Sequence, residues 1–539
     1  MSNAKIPRVV YREAAEEFDA KDYDPKKWVE IAKNAGMKYI VITAKHHDGF
    51  CLFKTQYTDW NAVDASAARR DLLKDLVAEA HAAGLKIGFY YSQNIDWMQE
   101  GGMGSIPELN GGTYSSEQVE NYVNAIVIPQ IQELTSNYDI DIFWFDYPDV
   151  QNSNTEISRQ ILDALLNSPV GNKIICNDRL FTGFNGDFNT PNIPYNGYSD
   201  NRAWEACASM NGSWGFEYEP DSVTPWNKNR WKTSYYEISR LLEIVSKGGN
   251  YLLNMGPDRH GIIPEPAIEV LKEVGDWMKA YKETIYGSDP NALLHPFEYG
   301  YVTQKTDSDG SVHWYLHVSS AYWPEKEVVL NGVTNLPVSA TLFDSKEPVP
   351  VQMENDNLVL SLPDECPNPY YAAIDLHFQQ IPNQADSFSL RNNQVRLTPY
   401  QATTYSVFKN YIPYALYYWF YQRSQVTFNV YLEEGKYDLE AEYASWNKGG
   451  ELYFTINGQV YTANYENTGN PLIENDMNNY ISGNIIKGIN IPASKIYTIK
   501  IQRLRKTGTV GTDKEIDVHS LEPGIYIIKG ANFIQKIVL

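Results

Sequence analysis

A (β/α)8 TIM barrel followed by two β-sandwich domains is the architecture this sequence predicts. Three observations carry the prediction. Between about residues 24 and 282, short apolar runs alternate with amphipathic helical stretches. After about residue 285 the helical period stops, and strand-like segments recur at short spacing. The segment IPNQADSFS then reads as a linker into a third, strictly alternating region. The expected boundaries are 1–285 for the barrel, 286–380 for the first sandwich, 381–510 for the second and 511–539 for a tail. Near-continuous apolar strands separated by helices indicate a parallel sheet covered on its faces. Over roughly 250 residues the usual closed form is the barrel.

The predicted barrel strands are Tyr39–Lys45, Lys86–Ser92, Ile140–Asp146, Lys173–Asp178, Ala203–Met210 and Asn250–Asn254. Helices are expected over Pro25–Ala35, Asp71–Ala83, Ser116–Thr135, Thr155–Leu166, Thr233–Ser246 and Pro266–Tyr281, with Gly84 as a stop. The first sandwich is read from HWYLHVSS, EVVLNG, SATLFD, LVLSLP and AAIDLHF. The second, expected to be carbohydrate-binding-like, is read from VTFNVYLEEGKYDLEAEYAS, ELYFTINGQVYTA and YTIKIQRLR, which alternate strictly with Gly- and Asn-containing turns. GIYIIKG and FIQKIVL form two short strands in the tail, suited to a hairpin that completes this sandwich.

Composition narrows the function. A net charge of −22 lacks the basic patches that nucleic acid or an anionic membrane would require, and it suits a neutral ligand such as a glycan. The 40 Tyr and 13 Trp fit both strand packing and stacking on sugar rings. Four widely spaced cysteines, Cys51, Cys176, Cys207 and Cys366, contain no CxxC and support neither a zinc site nor a disulfide framework. No apolar run approaches the roughly 20 residues of a membrane span.

Active sites of parallel barrels are built where the strands end. The first strand runs into KHHDGF, bringing His46, His47 and Asp48; the second ends at Tyr90 and Tyr91. The third closes on Asp146, the fourth on Asn177, Asp178 and Arg179, and the fifth carries Trp204 and Glu205, with Trp214 beyond. A carboxylate after a mostly apolar run is poorly solvated unless partnered. Asp146 therefore fits either a cap for the following YPD turn or a glycosidase carboxylate, whose chemistry requires a second acid across the site. Glu205 is the candidate for that acid, with the neighbouring Trp204 expected to desolvate it; a rim salt bridge is its structural alternative, and Glu217 and Glu219 are rivals. Adjacent histidines on a strand face opposite ways, so His46 and His47 are expected to hold no metal. Both can face a ligand only if the strand ends at the pair.

The segments AGMKYIVITAKHHDGFCLF, RDLLKDLVAEAHAAGLKIGFYYS, DIFWFD, NDR, WEACASMNGSWGF and GGNYLLNMGP, in this order, resemble glycoside hydrolase family 29, the retaining exo-α-L-fucosidases. The resemblance covers about residues 1–285, and the first sandwich is similar to the family's C-terminal domain. It implies Asp146 as nucleophile, Glu205 of the WE motif as acid/base, and His46, His47, Tyr91, Arg179 and Trp214 as fucose contacts. It implies no cofactor. Other members carry the acid in a TPE-type segment, which here reads FNTPNIP, with Asn192 at the Glu position. Members open with a strand resembling FGMFIHWG, whereas this chain opens at MSNAKIPRVVYREAAEEFDA, which looks like the stretch just after it. The first barrel strand is therefore expected to be missing, with lower stability and impaired activity. EIDVHSLEPGIYIIKG weakly resembles the end of a type IX secretion sorting domain, which implies export from a bacterial cell.

These readings predict hydrolysis of terminal α-L-fucosyl linkages on a fucosylated oligosaccharide or glycoconjugate. A glycan-binding protein derived from such an enzyme is the alternative, and a hydrolase for a related sugar such as galactose is a third. Linkage, aglycone and oligomeric state are left open.

Overall fold

The structure is a computed structural model. It describes residues 6–103, 114–148, 155–191, 202–211, 213–216, 231–290, 292–324, 326–390, 394–398, 400–405, 408–411, 414–417, 425–443, 450–465, 481–502 and 534–538. The chain divides into two compact units. The first comprises Met1–Thr190, Tyr198–Glu219 and Leu252–Lys279, and the second the remainder.

In the first unit, β1 (Tyr39–Lys45), β2 (Lys86–Tyr91), β3 (Ile142–Phe145) and β4 (Ile175–Cys176) form a parallel sheet in sequence order. β5 (Trp204–Ser209) and β6 (Gly249–Asn254) form a separate pair. Single parallel bridges, Asn177 with Phe188 and Asn189 with Trp204, lead from the end of β4 to the start of β5. The helices of this unit are α1 (Arg8–Glu13), α2 (Pro25–Asn34), α3 (Leu73–Ala82), α4 (Ser116–Tyr122), α5 (Ile128–Asn137), α6 (Thr155–Leu166) and α8 (Glu265–Tyr281, to Lys279), while α7 (Ser234–Val245) belongs to the second unit.

Local chemistry explains the helix ends. Asp24 caps α2 by accepting from the Lys27 N–H, with Pro25 at the first helical position. Asp71 accepts from the N–H groups of Leu73 and Lys74, so α3 starts two residues later than expected. It stops at Gly84, whose φ of +76° is cheap only for glycine. A reciprocal Ser115–Gln118 capping box opens α4. The single helix expected over Ser116–Thr135 is interrupted by a π turn at Val123–Val127. Pro129 lies just beyond and offers no N–H to the preceding turn, so the local widening has an identifiable cause.

Strand periodicity sorts the side chains onto two faces. Ile87, Phe89, Tyr91, Phe143 and Phe145 enter the large core beneath the helices, with Leu76, Val127 and Ile131. Tyr39, Val41, Tyr90, Ile142, Trp144, Cys207 and Leu252 share the other face. The second face leads to the site.

In the second unit, one sandwich pairs the sheet Ser339–Leu342, Tyr371–Phe378, Val312–Ser319, Gly300–Thr306 with the sheet Val351–Glu354, Asn357–Ser361, Glu327–Asn331, each in that strand order. Trp314, Leu316, Val318, Leu358, Leu360 and Ile374 fill its core. A further pair of sheets has the orders Gln394–Arg396, Ile534–Val538, Gly435–Tyr443, Ile481–Ile491 and Thr403–Tyr405, Gln425–Leu432, Lys495–Gln502, Gly450–Ile456, Gln459–Tyr465. Ile534–Val538 pairs in parallel with both neighbours, so the last strand of the tail joins the sheet and does not form a terminal hairpin. GIYIIKG lies outside the described residues.

Candidate active site

Asp146 directly follows β3, and its side chain is held by charge and hydrogen bonds on both oxygens. The Tyr90 hydroxyl donates to Oδ2 at 2.7 Å, and Arg179 Nη1 donates to Oδ1 at 3.1 Å. The Tyr147 N–H adds a bond to Oδ1 at 2.9 Å. The backbone N–H of Asp146 donates to Gln93 Oε1 at 3.0 Å, and Gln93 Nε2 donates to the Arg179 carbonyl at 3.0 Å. One buried amide therefore ties Asp146 and Arg179 together.

The arginine is positioned by its own segment. Asn177 accepts from the Phe145 N–H and donates to the Phe145 carbonyl, at 3.0 and 2.9 Å. Asp178 accepts from the Thr190 N–H and hydroxyl. Arg179 donates through Nε to Thr190 Oγ1 at 2.7 Å. The NDR tripeptide thus locks β3, anchors the Thr190 segment and delivers a guanidinium to the carboxylate.

β1 ends at Lys45 after a register irregularity at Thr43–Lys45, so the two histidines are freed from strand alternation. Their rings lie 4.0 Å apart. His46 stacks on Tyr90 at 5.4 Å, and His47 Nε2 stands 3.9 Å from Asp146 Oδ2. Nδ1 of His47 shares a hydrogen bond of 2.8 Å with Ser92 Oγ. Burial, reinforced by the neighbouring His46, pushes the His47 imidazole down to about 4, and burial also lowers His46. Both rings are neutral near pH 7, suited to hydrogen bonding with hydroxyl groups. Among the described residues, no three His, Cys, Asp or Glu side chains converge to hold a metal ion.

Tyr147 has φ +59°, a conformation that is costly for a bulky residue, and its carbonyl accepts from Asn94 Nδ2 at 2.7 Å. This turn aims its N–H back at Asp146. Its ring is half exposed, edge-on to His47 at 5.1 Å. Together these groups surround one clamped carboxylate with aromatic rings and neutral imidazoles. Such an arrangement suits hydrogen bonding with a neutral polyol.

The Alpha-L-fucosidase sequence profile matches residues 2–283. The chain belongs to the alpha-L-fucosidase family. The alpha-L-fucosidase of Dictyostelium discoideum is 28% identical over 375 residues, 67% of this chain and 77% of that protein. Alpha-L-fucosidase isoenzyme 1 from Paenibacillus thiaminolyticus is 30% identical, with TM-score 0.61, covering 70% of this chain and 91% of its own. The alpha-L-fucosidase from Vibrio sp. strain EJY3, 22% identical, shares the fold over 97% of this chain and 90% of its own, with TM-score 0.68.

Within this fucosidase, the expected residues are not all brought together. Asp146, Arg179, His46 and His47 come together. Tyr91 does not. Its ring is fully buried on the helix-facing side, where its hydroxyl donates to Gln130 Oε1 at 2.7 Å and Lys45 Nζ lies 4.6 Å from the ring centre. Tyr90, one residue earlier and so on the opposite face, is the tyrosine that reaches Asp146. Trp214 is 58% exposed, and its carbonyl accepts from Asn254 Nδ2. Glu205 also departs from its expected position. It is the second residue of β5, buried, with Oε1 accepting from the Trp144 indole at 2.8 Å and Oε2 from the Tyr39 hydroxyl. Its burial comes from Trp144 and the inner face, not from Trp204, whose side chain alternates away. Burial raises the Glu205 carboxyl above its ordinary range against these two bonds. Glu217, Glu219 and Asn192 lie outside the described residues.

Sequence reasoning missed Trp144, Tyr39, Gln93, Ser92 and Tyr147. Trp144 stands two residues before Asp146 and shares its face, so alternation alone would have found it.

Proposed function

We propose that this chain is a retaining exo-glycosidase that removes terminal α-L-fucosyl groups, with Asp146 as the nucleophile. The strands of its first unit are read as those of a (β/α)8-type barrel, whose site lies where the strands end. The observation that carries the assignment is the double clamp on Asp146 by Tyr90 and Arg179. It holds a carboxylate in one orientation among neutral neighbours suited to hydroxyl groups.

In the first step a carboxylate oxygen of Asp146 bonds to the anomeric carbon. The bond to the departing oxygen breaks, its electron pair leaves with that oxygen, and an acid supplies the proton. In the second step water attacks the same carbon, gives its proton to the conjugate base of that acid and releases Asp146. His46, His47, Arg179 and Tyr90 are proposed to bind the sugar. The proton donor is assigned to an acid other than Glu205, with Glu217 and Glu219 the first residues to test.

Asp146→Asn keeps the shape of the side chain and removes the nucleophile. On an aryl α-L-fucoside its kcat should fall at least about a thousandfold with the fold intact. Turnover at the wild-type rate would refute the assignment. The glycan-binding alternative predicts calorimetric fucose binding without turnover in the unaltered chain.

A further inference from the structure

We propose that Glu205 acts through Trp144, fixing the indole that backs both partners of the nucleophile, and is a positioning residue rather than the proton donor. This rests on the reading of Asp146 as nucleophile.

Access argues first. Active-site groups come from the C-terminal ends of parallel strands. Glu205 is the second residue of β5, and the strand runs on to Ser209. Four residues at strand rise put it about 13 Å short of that end. Its companion Tyr39 is the first residue of β1, at the same entry end. A proton donor must touch the departing oxygen, which leaves at the mouth.

Occupancy argues second. Each carboxyl oxygen already accepts a bond, from Trp144 Nε1 at 2.8 Å and from the Tyr39 hydroxyl. Both partners sit on the same inner face.

The third observation gives the acid something to do. The Trp144 ring stacks on Tyr90 at 5.5 Å with an interplanar angle of 24°. The Arg179 guanidinium carbon lies 5.0 Å from the centre of the same ring. Tyr90 and Arg179 are side-chain donors to the two oxygens of Asp146. One indole thus sets the position of both, and the indole has one N–H to be held by. Glu205 holds it. Loss of that acceptor frees the ring to turn, and the clamp on Asp146 loosens without any change in the acid that serves the leaving group.

The experiment compares Glu205→Gln and Glu205→Leu on two substrates. α-L-Fucosyl fluoride needs no protonation to depart, and a fucosylated disaccharide does. A positioning role predicts that Glu205→Leu loses about tenfold or more in kcat on both substrates by the same factor. Glu205→Gln keeps an acceptor under the indole and should recover to within about threefold of wild type on both. Azide should restore nothing, and the alkaline limb of the pH profile should stay in place. The proposal is overturned if Glu205→Gln spares the fluoride but loses about 10²–10⁴ on the disaccharide, with azide restoring Glu205→Leu, because that is the signature of a proton donor. It is equally overturned if Glu205→Leu matches wild type on both substrates. Should Glu205→Leu fail to fold, Tyr39→Phe loosens Glu205 more gently and should give the same parallel loss, smaller in size. Failure of the nucleophile reading shows separately, as wild-type turnover by Asp146→Asn.

Discussion

At the scale of single residues, the account turns on how one carboxylate is oriented. Tyr90→Phe removes only the hydroxyl that donates to Asp146 Oδ2. A hydrogen bond to a charged group contributes about 1.5–3 kcal/mol, so kcat should drop roughly tenfold to a hundredfold, while Tyr91→Phe should affect folding stability more than turnover. Steady-state kinetics on the two variants, with thermal melts, checks both halves. The histidines give a pH prediction. His47 is pushed down to about 4 in the folded chain, below the ordinary histidine value of about 6.5. Between those values the unfolded chain binds a proton that the folded chain refuses. His47 therefore contributes stability above about pH 6.5 that is lost as pH falls toward 4. Denaturant unfolding at pH 7 and pH 5 should show a smaller loss for His47→Asn than for wild type. Which residues clustered was legible because polar groups followed apolar strands. The error at Tyr91 arose because family resemblance fixes a segment, whereas only strand parity decides which of two adjacent tyrosines faces inward.

At the scale of elements, β3 and β4 are joined by few backbone bonds, since β4 is two residues long. Asn177 extends the join by bonding both backbone groups of Phe145. Asn177→Ala leaves those buried groups unpaired and should cost about 2–4 kcal/mol of stability, measured by denaturant unfolding, with turnover reduced because Asp146 follows directly. The strand positions of the first unit were readable from apolar runs to within a few residues. Glu205 was expected as the second acid across the site from Asp146, and the structure shows its carboxyl bonded to Trp144 and Tyr39 near the start of its strand. Sequence marks which strand carries a residue; the hydrogen-bonded ends of that strand decide how far it stands from the mouth. The π turn between α4 and α5 was hidden because its helical period continues on both sides, and only Pro129 hinted at it.

At the scale of the whole molecule, the sheets of the second unit follow from strict alternation, which places Trp314 and Leu316 in one core and Phe428 and Ile499 in another. The parallel pairing of Ile534–Val538 with strands far away in sequence could not be read from local pattern, because nothing in a short apolar run names its partner. All four cysteines are free. The melting temperature should therefore be the same with and without a thiol reductant; a drop on reduction would reveal a disulfide and contradict the structure. The central claim is that Asp146 becomes covalently attached to the sugar, and one measurement tests it most directly. The protein is incubated with 2-fluoro-fucosyl fluoride, digested and mapped by mass spectrometry. The account predicts one added fluorofucosyl group on the peptide containing Asp146; the same group on any other carboxylate, with Asp146 unmodified, would contradict it.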